Sequence, residues 1–159
     1  MLDALRDFIR RLGAEEDAGR HFGADDTRLA LASLLVHLMA VDGQATEAER
    51  AKLKDLLSRN FGLTGADLDL LIKDAVAAES EAVDLYRFTS VLKRSMNEDE
   101  RVRVIENLWE IAYADEKSDE FEDNVVWRVA ELLGVNRRDR IATKRLVAEN
   151  KSLESEDPV

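Results

Sequence analysis

The 159-residue sequence contains no cysteine. That absence excludes disulfides, thiolate nucleophiles, zinc–thiolate centres and iron–sulfur clusters. Two histidines are too few for a dense imidazole site. Proline occurs once, at Pro158, so no pyrrolidine ring breaks a helix before the end of the chain. Sustained β-branched alternation is missing, which removes the usual signature of strands. Basic charge is short: 23 Lys and Arg face 34 Asp and Glu, for a net charge of −11. That sign disfavours nucleic acid as the principal partner, because a phosphate backbone needs local positive charge. The longest apolar run, Leu29 to Val41, is too short to span a bilayer and contains Ser33 and His37. The first residues, MLDALRDFIRRL, lack an apolar core followed by a small-residue cleavage site. A secretory signal is therefore not expected, and the expected location is the cytoplasm. Neither a G-x-S-x-G motif nor a glycine-rich phosphate loop is present, and an enzyme is not expected.

The chain is nonetheless 45% hydrophobic, enough for one ordinary domain with a real core. Ala, Leu, Glu, Arg and Asp dominate, and the apolar spacing is helical throughout. The pattern predicts an all-α fold, a single domain of seven to eight helices. These cover about 2–12, 26–41, 47–60, 65–79, 83–94, 98–114, 120–133 and 137–149. The segment 26–41 is apolar nearly all round and is expected to be central. Asn97 with Glu100 reads as a capping box, and Gly62 and Gly134 as helix stops. Residues 1–24 form an N-terminal amphipathic helix and loop, 25–149 the helical domain, and 150–159 a flexible polar tail.

Two helical hairpins inside this pattern are related. The first reads LLVHLMAVDGQATEAERAKLKDLLSRNFGL and the second NLWEIAYADEKSDEFEDNVVWRVAELLGV. Asp42 and Asp115 end the leading helix of each pair, an offset of 115 − 42 = 73. At the same offset Glu47 matches Glu120 and Glu49 matches Glu122. Thr46 with Glu49, and Asp119 with Glu122, fit helix caps, so capping by itself accounts for two of the carboxylates. It leaves Asp42 and Asp115 unexplained. A helix C-terminus favours cations, and both aspartates sit against that dipole. If the hairpins pack about a pseudo-twofold axis, Asp42, Glu49, Asp115 and Glu122 converge, with Glu47 and Glu120 as outer ligands. Hard oxygens of this kind suit Mg²⁺ or Ca²⁺. The alternative is carboxylates that merely hold the turns by bonding backbone amides.

The segments AVDGQATEAE and AYADEKSDEFE, each behind an apolar helix, resemble the tellurite-resistance protein TerB family. The same all-α domain occurs at the N-terminus of the DnaJ-like co-chaperone DjlA. The similarity covers about 25–149. Glu116 stands where the first motif has Gly43. The resemblance implies a fold of two pseudo-equivalent halves and a divalent-cation site on the acidic motifs. It also implies a role in stress-response or membrane-associated assemblies.

Other arrangements fail or have simpler explanations. A di-metal bundle needs Glu-x-x-His, and no Glu lies three residues before His21 or His37. An EF-hand loop starting at Asp42 or Asp115 would place Leu53 or Val126 where Glu is required. His37, with Ser33 one turn earlier and Glu110 at the equivalent position of the repeat, reads as a core or edge histidine. Trp109 and Tyr113 share a helix face and read as core, with a peptide platform as the alternative. The only basic cluster, Asn136 to Arg145, is expected to pair with the protein's own carboxylates or to solvate a face, with contact to an anionic lipid or an acidic partner as the alternative. The stripe Leu2, Leu5, Phe8, Ile9 and Leu12, flanked by Arg6, Arg10 and Arg11, is expected to fold back, dimerise or lie on a membrane surface. A protein partner is expected and no nucleic acid. A co-chaperone-like interaction domain without metal is the alternative function.

Overall fold

The computed structural model describes residues 22–41, 45–114 and 120–156. The expected helix over 2–12 lies outside them, as do Asp42 and Asp115. The described residues form seven α-helices and no strand: α1 Thr27–Ala40, α2 Glu47–Phe61, α3 Gly65–Glu81, α4 Tyr86–Ser95, α5 Glu98–Ala112, α6 Glu120–Leu133 and α7 Arg137–Glu156.

Local chemistry sets the helix starts. The Asp26 side chain accepts from the Arg28 amide at 2.9 Å, capping α1. The Arg28 guanidinium closes on the same carboxylate at 3.0 and 2.8 Å. That bonding holds Asp26 below the usual carboxylate range. Thr46 and Glu49 form the expected capping box on α2, and Asn97 and Glu100 the one on α5. At the far end of α2, Gly62 takes φ 66° and its amide returns to the Ser58 carbonyl at 2.8 Å. This left-handed position is where a side chain is penalised. Asn136 accepts from the Asp139 amide at 2.8 Å and opens α7.

The apolar all-round segment is central, as its pattern requires. Every α1 residue from Leu29 to Val36 is buried, and so are Leu38 and Met39. α1 packs against α2, α3, α4, α5 and α6. Each fully buried leucine contributes roughly 1.5–3 kcal/mol, so the α1 run is the largest single block of the core. α5 is the second centre, with Val104, Ile105, Leu108, Trp109, Ile111 and Ala112 buried.

The internal repeat is carried into the packing. Leu31, Ala32, Leu35 and Leu38 of α1 match Val104, Ile105, Leu108 and Ile111 of α5, and all eight are buried. Leu53, Leu56 and Leu57 of α2 match Val126, Val129 and Ala130 of α6 in the same way. The contacts α1–α2, α1–α3 and α2–α5 recur as α5–α6, α5–α7 and α6–α1. Exchanging the halves therefore maps these contacts onto one another, as a pseudo-twofold arrangement requires. The repeat also reaches a third helix that the hairpin comparison missed. Leu71 and Ala75 of α3 match the buried Thr143 and Val147 of α7, at offsets of 143 − 71 = 72 and 147 − 75 = 72. α4 stands outside the repeat and lies on α1 and α6.

Two boundaries differ from expectation. α4 opens at Tyr86 rather than near 83. α7 does not end near Glu149 but continues to Glu156, so 150–156 are helical. No glycine or proline interrupts this stretch, and Lys151 Nζ donates to the Ala114 carbonyl at 3.3 Å. That bond ties the last turns of α7 to the end of α5.

Candidate functional site

The first acidic corner is built on the start of α2. The Glu49 amide donates to Thr46 Oγ1 at 3.1 Å, and Glu49 Oε1 accepts from both the Thr46 amide and its hydroxyl at 3.1 Å. This closes the N-terminus of α2 and buries the carboxylate, which is 2% exposed. The helix dipole favours an anion here. Glu47, two residues earlier, is exposed. At the equivalent place on α6, Glu122 is 6% exposed and Glu120 is exposed. One carboxylate is thus buried and one presented to solvent in each half.

Among the described residues, no three His, Asp or Glu side chains gather as a metal-binding group. Glu47, Glu49, Glu120 and Glu122 therefore do not suffice by themselves. Asp42 and Asp115, on which convergence depends, fall outside the described residues.

His37 is an edge residue of the core, half-buried, with Nδ1 3.1 Å from Glu79 Oε1 on α3. Its repeat counterpart Glu110 is also half-buried and receives Arg59 of α2 at 3.4 Å. Burial raises the Glu110 carboxyl above its usual range, against the opposing pull of Arg59. The Glu79 counterpart at offset 72 is Lys151. The first half therefore carries a base on its central helix and an acid on its third. The second half carries the reverse. Glu110 and Lys151 line a cavity of about 40 Å³ with Lys52, Glu106, Tyr113 and Asn150. That volume holds a water molecule or two, whereas ligand pockets run to roughly 300–1,000 Å³.

The aromatic pair belongs to the core. The Trp109 and Tyr113 rings lie 6.2 Å apart at 46°, and Trp109 is fully buried. A peptide platform on Trp109 is thereby corrected: the ring sits under α7, with Lys144 Nζ 5.0 Å from its centroid. Lys144 also pairs with Asp123 at 3.0 Å, and Arg140 stacks over Trp127 at 4.8 Å. Lys144 thus pairs with one of the protein's own carboxylates, as expected, while Arg140 meets an aromatic ring instead.

The partners Glu79 and Arg59 were not singled out from the sequence. Glu79 lies 42 residues from His37, and Arg59 lies 51 from Glu110. The repeat, extended to the third helix, gives a signal for Glu79 through Lys151, but none for Arg59, whose counterpart is Leu132.

Among the described residues, no helix is long and apolar enough to cross a membrane. None of the curated proteins and none of the solved structures matches the chain. A family model does, over residues 28–145, and it covers both hairpins, both acidic helix starts, all of α3 and the first turns of α7. With the all-helical, duplicated fold that its sequence pattern anticipated, the chain belongs to the TerB family, described as tellurite resistance protein TerB.

Proposed function

We propose that the chain is a non-catalytic TerB-like module that holds a divalent cation, Mg²⁺ or Ca²⁺, at its duplicated acidic corners. It acts in the cytoplasm, in a stress response of the tellurite-resistance type, by docking a protein partner. Asp42, Glu47 and Glu49 supply oxygens from one half, and Asp115, Glu120 and Glu122 from the other. One observation supports this reading above the rest: a carboxylate is buried at the same place in both halves, Glu49 at 2% and Glu122 at 6% exposure, each seven residues after an aspartate in the sequence, Asp42 and Asp115. Hard carboxylate oxygens are the donor type that Mg²⁺ and Ca²⁺ take. The cation would relieve repulsion among acids in a chain of net charge −11 and hold the turns in place.

The metal-free alternative is an interaction domain of the co-chaperone type. The Thr46–Glu49 capping box favours it, because the box accounts for the burial of Glu49 without a ligand.

A melting series with Mg²⁺, Ca²⁺ and chelator separates the two. A cation at about 100 times its Kd stabilises a native site by about 2.7 kcal/mol. For a domain of this size that raises Tm by roughly 5–10 °C. Asp42→Ala with Asp115→Ala abolishes the shift if the corners hold the ion. A midpoint that ignores both cations and chelator overturns the cation reading and leaves the metal-free one.

A further inference from the structure

α7 has two sides of different character. On the inner side Thr143 and Val147 are buried, and the helix rests on α5. Lys144 reaches Asp123 of α6 at 3.0 Å, and Arg140 donates to the Val135 carbonyl at 3.1 Å. The outer side carries Arg138, Ala142, Arg145, Leu146, Glu149 and Leu153, all exposed, with Leu146 at 45% and Leu153 at 65%. At 3.6 residues per turn these six fall within about a third of the helix circumference. The stripe is amphipathic, with apolar and charged side chains interleaved. Arg145 and Glu149 are one turn apart, yet they form no ion pair with each other or with any described residue.

The charges also run against the helix. α7 opens with Arg137 and Arg138, and its last turn holds no base. Helices favour acids at their N-terminus and cations at their C-terminus. Of the charged residues in the first turn, only Asp139 follows that rule. No described carboxylate meets Arg137, Arg138 or Arg145 to offset the cost.

We infer that this stripe is a self-association site, covered by α7 of a second copy lying antiparallel across a twofold axis. In such an isologous pair one patch faces itself. With the axis passing beside position 147, Arg145 of each copy comes opposite Glu149 of the other. Leu146 meets its own counterpart beside the axis, and Leu153 reaches Ala142 of the second copy. The basic start of each helix then lies along the far end of the other, where no base stands. A parallel pair would set Arg145 against Arg145 and Glu149 against Glu149. A purely anionic partner would satisfy the arginines but place like charge on Glu149, in the middle of the stripe. Like charges brought face to face suppress association, so the second copy is the occupant that matches both signs.

From Arg138 to Leu153 the stripe is about 22 Å long and one helix wide. That is small beside the roughly 1,600 Å² of standard interfaces, so pairing is expected at micromolar concentration and above.

Sedimentation velocity on the full chain tests this, with chelator present so that no divalent cation bridges the acids. A monomer–dimer equilibrium is expected between low and high micromolar concentration. Arg145→Glu and Glu149→Arg should each abolish the dimer by setting like charges opposite one another. Mixing the two variants should restore it, and so should both substitutions in one chain. Leu146→Asp should abolish it through the apolar contact. Circular dichroism checks that each variant keeps its helices.

A chain that stays monomeric at high micromolar concentration overturns the inference. So does a dimer that survives Arg145→Glu and Glu149→Arg, which would put the contact on another face. A mixture of the two variants that stays monomeric overturns it too. A monomeric chain that binds vesicles of anionic phospholipid through Arg138 and Arg145 overturns it in favour of a membrane surface.

Discussion

Replacing Glu49 by Gln preserves side-chain length and one acceptor oxygen but removes the charge at the start of α2. Glu49 is buried, and its Oε1 accepts from both the Thr46 amide and hydroxyl. A carboxylate in the first turn gains about 0.3–1 kcal/mol from the helix dipole when exposed and up to about 2 kcal/mol in partly buried geometry. At 2% exposure the upper figure applies, so Glu49→Gln should cost about 2 kcal/mol. Thr46→Ala removes the reciprocal cap and should cost about 1 kcal/mol. The two side chains share their hydrogen bonds, so the double variant should lose about 1 kcal/mol less than the sum of the singles. Urea unfolding is the assay, with an unchanged slope showing that only stability has moved. Strict additivity refutes the shared-cap account. A harmless Thr46→Ala beside a severe Glu49→Gln would refute it too. The same variants bear on the proposed function. If Glu49 holds a cation, Glu49→Gln loses the cation-dependent rise in Tm, while Thr46→Ala lowers the baseline and keeps the rise. If Glu49→Gln keeps the rise, Glu49 is a cap and not a ligand.

Two further outcomes follow from the same structure. The Glu110 carboxyl is raised by burial, so the folded state favours its protonated form. Stability is then lost as pH climbs from the ordinary carboxylate value through the raised one, and stays lower above it. Arg59→Ala removes the compensating cation. It should cost at most about 1 kcal/mol, because the arginine is more than half exposed. The cost should be largest at neutral pH and fade on acidification as Glu110 protonates; a pH-independent cost measured by thermal melts would refute it. At Gly62, φ is 66° and an added Cβ meets nothing within 4 Å. Gly62→Ala should therefore cost roughly 1–2 kcal/mol through backbone strain alone, and Gly62→Asn less. An unchanged urea midpoint for the alanine variant would refute that account.

The helices were legible because helix formation here is governed by short-range signals. The caps at Thr46 and Asn97, the stop at Gly62 and the 3.6-residue apolar spacing all act within one or two turns. The misjudged end of α7 was of the other kind. Residues 150–156 look polar and expendable on their own, but Lys151 reaches the end of α5, and the helix runs on. Trp109 was ambiguous for a related reason. Its spacing to Tyr113 shows which helix face it occupies, but not whether that face meets α7 or solvent.

The acidic corners divide along the same line. That Glu49 and Glu122 occupy equivalent first-turn positions, one carboxylate per half, follows from the 73-residue offset. That both are buried while Glu47 and Glu120 are exposed depends on how α2 packs on α5 and α6 on α1. The internal repeat, the all-helical class and the central place of 26–41 were present in the order of the residues, because periodicity and capping are local physics. The burial of the repeated carboxylates, the His37–Glu79 and Arg59–Glu110 pairs and the extension of the repeat to α3 and α7 were decided by tertiary packing. Each depends on which helix lies against which, and that is set by contacts between residues far apart in the chain.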